Sequence, residues 1–141
     1  RNLYTPAGGS EMPASVQTAE SGLHYVKMNV DGRIIFNDAV RVMTQLSEQV
    51  LLEAGYSPQD VDVFIPHQAN LLIMKAVCSN LKIPFEKMVV SLSKTANIVT
   101  GTLPYSYDSA KRSGKITPGN LVLFVTAGAG YSAGAALYRE L

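Results

Sequence analysis

His67 and Asn97 are the two side chains whose type and place best suit chemistry. His67 stands just after a short apolar run, Val61–Ile65, and just before a helical pattern. N–H groups at a helix start disfavour a protonated imidazole. A neutral imidazole can donate one ring N–H or serve as a base, although a histidine there can equally be a structural group tied to backbone. Asn97 follows a second apolar run, Met88–Leu92. Its amide N–H groups can donate to a developing oxyanion, or its oxygen can cap a helix. As a pair the two mean more than either alone, because donors at neighbouring strand ends can converge on one oxygen. The run Gly128-Ala129-Gly130-Tyr131-Ser132-Ala133-Gly134 superficially resembles a dinucleotide loop. A phosphate loop needs a helix behind it within a βαβ unit, and only seven residues follow Gly134. A glycine-rich β-turn fits better, either as a bland hairpin or with backbone N–H groups that serve an oxyanion. Cys78 shares the apolar face of a helix with Leu71, Met74 and Leu81, which is a core position rather than a nucleophile's. His24 has no partner at a metal-ligand spacing, so no metal site is expected.

The elements that must position these groups follow from periodicity. Residues 1–22 are rich in Gly, Pro, Ser and Thr and read as irregular. Two extended pieces follow, Leu23–Val30 and Arg33–Phe36, with Asp31-Gly32 as the turn between them. A first helix starts at Asn37 or Asp38 and carries Ala39, Val42, Met43, Leu46, Val50 and Ala54 at helical spacing. Gly55 stops it. Val61–Ile65 is a buried strand, Leu71–Leu81 a second helix, and Met88–Leu92 another strand. A third helix runs from about Asn97 to Ser113, with Pro104 in or near its first turn. Leu121–Ala127 and Tyr131–Leu137 form a closing hairpin. Alternation of this kind predicts an α/β fold: a mixed, mainly parallel sheet with helices on both faces and a C-terminal β-hairpin. Ligands of such sheets bind beyond the carboxyl ends of the strands. Three segments occupy those ends: Pro66-His67-Gln68, Ser93–Asn97 and Ala127–Gly130.

Composition narrows the function classes. The 141 residues suit one domain, and 47% hydrophobic content suits a packed core. Twelve basic and eleven acidic residues give a net charge of +1. That balance offers no footprint for nucleic acid or an anionic membrane. No apolar run reaches the ~20 residues of a membrane span. One cysteine excludes an internal disulfide. A soluble, cytoplasmic protein is the expectation.

Taken in order, several segments resemble the C-terminal half of ketoacyl-acyl-carrier-protein synthase III, a condensing enzyme of the thiolase fold. They are Pro6-Ala7-Gly8-Gly9-Ser10, the Met28–Val40 stretch, Pro66-His67-Gln68-Ala69-Asn70, Asn97, Gly114–Gly119 with Leu121-Val122-Leu123, and Gly128–Gly130 with Gly134–Leu137. The resemblance covers about Leu3 to Leu141. It implies a Cys-His-Asn site in which a cysteine takes an acyl group from acyl-CoA. A malonyl thioester on acyl carrier protein then decarboxylates and attacks that acyl group, in fatty acid or related biosynthesis. His67 and Asn97 would hold the malonyl carbonyl as it becomes an enolate. The Gly128–Ala129–Gly130 loop, through the N–H near Ala129, would serve the acyl-enzyme oxyanion. Gln68, Asn70 and Lys75 would belong to a carrier-protein docking surface. No external cofactor is implied, because the thioesters supply the activation. The implied partners are acyl-CoA, the carrier protein, an N-terminal half bearing the nucleophilic Cys, and a second copy in a homodimer.

The sequence departs from the family's pattern in places. No cysteine sits in a nucleophile context, so the chain is expected to be a C-terminal domain or one half of a split enzyme, inactive alone. Ala96 stands where a Gly usually precedes the Asn, Leu72 where many members have an arginine, and Ala127 where an aromatic is usual. Two further readings stay open. One is a secondary-metabolite acyltransferase or synthase of the same superfamily. The other is a non-catalytic partner subunit.

Overall fold

The computed structural model describes residues 3–128 and 132–141. Two extended segments, β1 (Leu3–Tyr4) and β2 (Lys27–Met28), pair antiparallel as a small ribbon. Between them, α1 (Val16–Glu20) lies inside the stretch expected to be irregular. A capping box explains it: Ser15 Oγ accepts the Thr18 N–H at 3.1 Å, and Thr18 Oγ1 accepts the Ser15 N–H at 2.9 Å.

The long helix α2 (Gly32–Glu53) begins earlier than its apolar spacing indicated. Arg33–Phe36 is helical, not extended, and Asp31-Gly32 is a helix start, not a hairpin turn. Asp31 is the reason, since its Oδ1 accepts the Arg33 N–H at 2.8 Å and caps the first turn. An Asp-Gly pair suits both roles. Gly55, at φ +75°, ends the helix as expected.

The main sheet has three strands in the order β3 (Val63–Pro66), β4 (Leu121–Gly128), β5 (Ser132–Arg139). β3 and β4 are parallel, with Val63 level with Val122 and Pro66 level with Val125. β4 and β5 are antiparallel, from Leu121 opposite Arg139 to Gly128 opposite Ser132. Side chains alternate across the sheet. Phe64, Leu123 and Val125 point into one core, with Val40, Met43 and Leu51 of α2. The helix α3 (Leu71–Asn80) adds Met74, Val77 and Cys78 to the same core. Val63, Ile65 and Val122 point the other way, onto Ala110 of α5 (Thr102–Arg112) and Ile116. A strand buried on both faces must be apolar throughout, and all four residues of β3 are buried.

Met88–Leu92 does not form the expected strand. It makes a single parallel bridge, Met88 to Phe64. Leu92 opens a short helix, α4 (Leu92–Thr95). The ladder stops because a side chain replaces it: Gln68 Nε2 donates to Val89 O at 3.2 Å, and Gln68 Oε1 accepts the N–H groups of Ser91 and Leu92 at 2.9 and 3.2 Å. The third helix starts at Thr102 rather than near Asn97, after a single turn of 3-10 helix at Val99–Gly101. Pro104 sits in its first turn, where a missing N–H costs nothing. No helix among the described residues is long and apolar enough to cross a membrane.

Candidate active site

His67 directly follows β3, and its backbone N–H extends the ladder by donating to Val125 O at 2.8 Å. The chain then turns into α3, whose N-cap is Asn70. Asn70 Oδ1 accepts the Leu72 N–H at 2.8 Å. The imidazole is half-buried, and that loss of solvent lowers its pKa below the ordinary value of 6.5. The ring is therefore neutral at neutral pH.

One ring nitrogen is already engaged. His67 Nδ1 lies 2.6 Å from the hydroxyl of Thr102, the first residue of α5. That hydroxyl also lies 3.0 Å from Val99 O. Val99 N–H in turn donates to Asn97 Oδ1 at 2.9 Å. A chain of hydrogen bonds thus joins the two expected site residues through Thr102 and Val99. Its geometry fixes the polar ends that remain. His67 keeps Nε2, and Asn97, with Oδ1 occupied and an exposed side chain, keeps its NH₂ group. Both residues stand beyond the carboxyl edge of the sheet.

The backbone around Asn97 is unusual. Ala96 has φ +55° and ψ −163°, a combination that suits glycine, and Val99 has φ +54°. A β-branched residue with a positive φ is rare. Such conformations cost about 1–3 kcal/mol each and concentrate at functional sites. Here they bracket Asn97 and set its angle of presentation.

Gln68 does not reach a docking surface. It is fully buried, and its amide makes four bonds: the three that hold Val89, Ser91 and Leu92, and one from Nε2 to Pro66 O at 2.7 Å. It clamps the His67 loop to the segment leading to Asn97. Asn70 is an exposed helix cap. Lys75 is exposed, with its ammonium 5.4 Å from the centre of the Phe85 ring. Gly128 ends β4, level with Ser132. Ala129 and Gly130 lie outside the described residues. Cys78 is buried in the core, with its thiol donating to Ile83 O at 3.0 Å. Among the described residues no group of three His, Cys, Asp or Glu side chains could hold a metal ion.

Two residues here escape sequence reasoning. Thr102 is 35 positions from His67, with no motif linking them. Gln68 is visible in the sequence, but only its burial shows that it is a clamp.

Residues 51–140 match the family model described as 3-oxoacyl-[acyl-carrier-protein] synthase III C terminal. The chain belongs to that family. A β-ketoacyl-[acyl-carrier-protein] synthase III of Syntrophomonas wolfei is 44% identical over 139 residues, 99% of this chain and 41% of the relative. The chain therefore spans about two fifths of the length of the curated relatives it matches. Among solved structures, the synthase III of Pseudomonas aeruginosa superposes with a TM-score of 0.84 at 30% identity, over 98% of this chain and 41% of that one. That of Aquifex aeolicus gives 0.79 at 38% identity, over 82% and 37%. The mixed sheet with helices on both faces is thus the thiolase-like architecture of synthase III. The family match also includes the whole of the His67–Thr102 chain of hydrogen bonds, since all four residues fall within 51–140.

Proposed function

We propose that this chain supplies the His and Asn of a Cys-His-Asn site that performs decarboxylative Claisen condensation, with the nucleophilic cysteine contributed from outside these 141 residues. In the reaction, a cysteine thiolate attacks the thioester of acyl-CoA, and CoA leaves as its thiolate. A malonyl thioester then loses CO₂, and the electrons of the broken C–C bond form an enolate. His67 Nε2 and the Asn97 NH₂ group donate to the enolate oxygen, which stabilises charge as it develops. The enolate carbon attacks the acyl-enzyme carbonyl, and the cysteine thiolate leaves to give a 3-oxoacyl thioester. The observation that carries this reading is the chain His67–Thr102–Val99–Asn97. It ties down the inner end of each side chain and leaves one nitrogen of each for a ligand.

A neutral imidazole suits this role. An imidazolium would need a counter-charge, whereas a neutral ring can donate one N–H and change little as the enolate forms. The reading includes a carrier protein that delivers the malonyl thioester, docked on the exposed α3 face around Leu72 and Lys75, and a homodimeric complete enzyme. Leu72 is 65% exposed, so that face offers an apolar side chain beside the Lys75 ammonium.

The test is decarboxylation of a malonyl thioester by the complete enzyme and by His67→Ala, Asn97→Ala and the double variant. Each single substitution is expected to cost ~10²–10³ in rate. Because both donors serve one oxygen, the double variant should lose less than the product of the two. Self-acylation by acyl-CoA should suffer less than decarboxylation. Near-wild-type decarboxylation by either single variant would reduce that residue to a structural imidazole or a turn-forming amide.

A further inference from the structure

We infer that Thr102 is a positioning residue: its hydroxyl donates to His67 Nδ1 and so fixes the imidazole with its proton on Nε2. The inference rests on the proposed enolate-stabilising role of His67, and it adds the device that makes the ring a donor rather than an acceptor. A threonine hydroxyl has one proton. Two acceptors compete for it, His67 Nδ1 at 2.6 Å and Val99 O at 3.0 Å. If the proton goes to Val99 O, Nδ1 must carry the ring proton, and Nε2 becomes a bare lone pair that would repel an enolate oxygen. If it goes to Nδ1, Nε2 carries the proton and can donate.

One observation favours the second arrangement. Val99 O already has a donor, since it accepts the backbone N–H of Thr102, and so does not need the hydroxyl. Burial sharpens the choice. Thr102 is 1% exposed, so water does not stand in for either partner, and an unmade bond there would cost about 1–3 kcal/mol. The same residue opens α5, so a rigid helix holds the hydroxyl against the ring. The structural alternative is that Thr102 only caps the turn at Val99. That role would leave the imidazole free to choose its tautomer.

The experiment has two arms on the complete enzyme. The first reads the tautomer of His67 from ¹⁵N NMR of histidine-labelled protein, with signals assigned by their loss in His67→Gln. The two nitrogens of a neutral imidazole differ strongly in shift, so protonated Nε2 is directly distinguishable. Wild type should show Nε2–H, Thr102→Val a shift of population toward Nδ1–H, and Thr102→Ser the wild-type pattern. The second arm follows malonyl thioester decarboxylation. Thr102→Val should lower kcat roughly tenfold with KM nearly unchanged, the scale of one hydrogen bond, and Thr102→Ser should restore it. An Nδ1–H tautomer in wild type, or an unchanged tautomer in Thr102→Val, overturns the inference whatever the rates. If wild type shows Nε2–H set by Thr102 but no decarboxylation, the enolate reading fails and the positioning role stands.

Discussion

His67 carries two consequences of its half-buried ring. The first is chemical: a neutral ring able to donate one N–H is present at neutral pH without help from a charged neighbour. The second is thermodynamic. Its folded pKa lies below the unfolded value of 6.5, so below that value the unfolded chain takes up a proton that the folded chain resists. The stability that depends on a neutral His67 is complete above pH 6.5. It is lost progressively as pH falls through 6.5 to the depressed folded value. Chemical denaturation on both sides of pH 6.5 should therefore show a fall in stability toward acid, and His67→Gln should flatten that part of the profile. A slope unchanged by His67→Gln would assign it to other groups. The carboxylates of Asp31 and Asp60, held low by bonds from Arg33 and Ser57, act in a more acidic window. Their ordinary value is 3.8, and what they contribute is lost as pH falls through their lower folded values.

Among the elements, the segment from Ser91 to Thr102 is the one least like regular structure and the one that presents Asn97. It is held by side chains: Gln68 grips its start and Thr102 its end. Ser91 Oγ also lies 2.8 Å from Ser106 Oγ of α5. In exchange it carries strain at Ala96 and Val99. Ala96 occupies a conformation that glycine reaches without cost. Ala96→Gly should therefore raise stability by about 1 kcal/mol, the relief of strain less the added freedom of the unfolded chain. A shift of the urea midpoint to higher concentration checks this. A lower midpoint would mean that the backbone at Ala96 is relaxed.

Across the whole molecule, one core lies on each face of the three-stranded sheet, and the site stands at the sheet's carboxyl edge. Glu140 fastens the far end. Its carboxylate accepts from Tyr107 and Lys111 of α5, each at 2.6 Å, and its backbone N–H donates to Asn120 O at 2.9 Å. The core also disposes of the only cysteine. Cys78 is 3% exposed, and burial, with the Glu86 carboxylate adding to it, raises its thiol pKa. A protonated, buried thiol is a poor nucleophile. Incubation of the 141-residue chain with labelled acyl-CoA should leave Cys78 unmodified by mass spectrometry, whereas denaturant should expose it to alkylation. Acylation of Cys78 at a catalytic rate in the native chain would move the nucleophile into this half.

Periodicity and turn chemistry determined most of the framework. The two-faced apolar pattern of Val61–Ile65, the closing hairpin and the helical spacing of α3 are local signals, because each depends on a period of 2 or 3.6 residues. The proposed site residues His67 and Asn97 stand out in the sequence as polar residues that follow apolar runs. Two boundaries required tertiary structure. Asp31-Gly32 fits a turn or a cap by composition, and only the packing of α2 against β4 and β5 settles it as a cap. Met88–Leu92 has the composition of a strand, yet the Gln68 amide takes the place of its ladder. The contact that links His67 to Asn97 was out of reach altogether. A hydrogen bond between residues 35 positions apart leaves no period in a sequence, and Thr102 gains its partner only when α5 folds against β3.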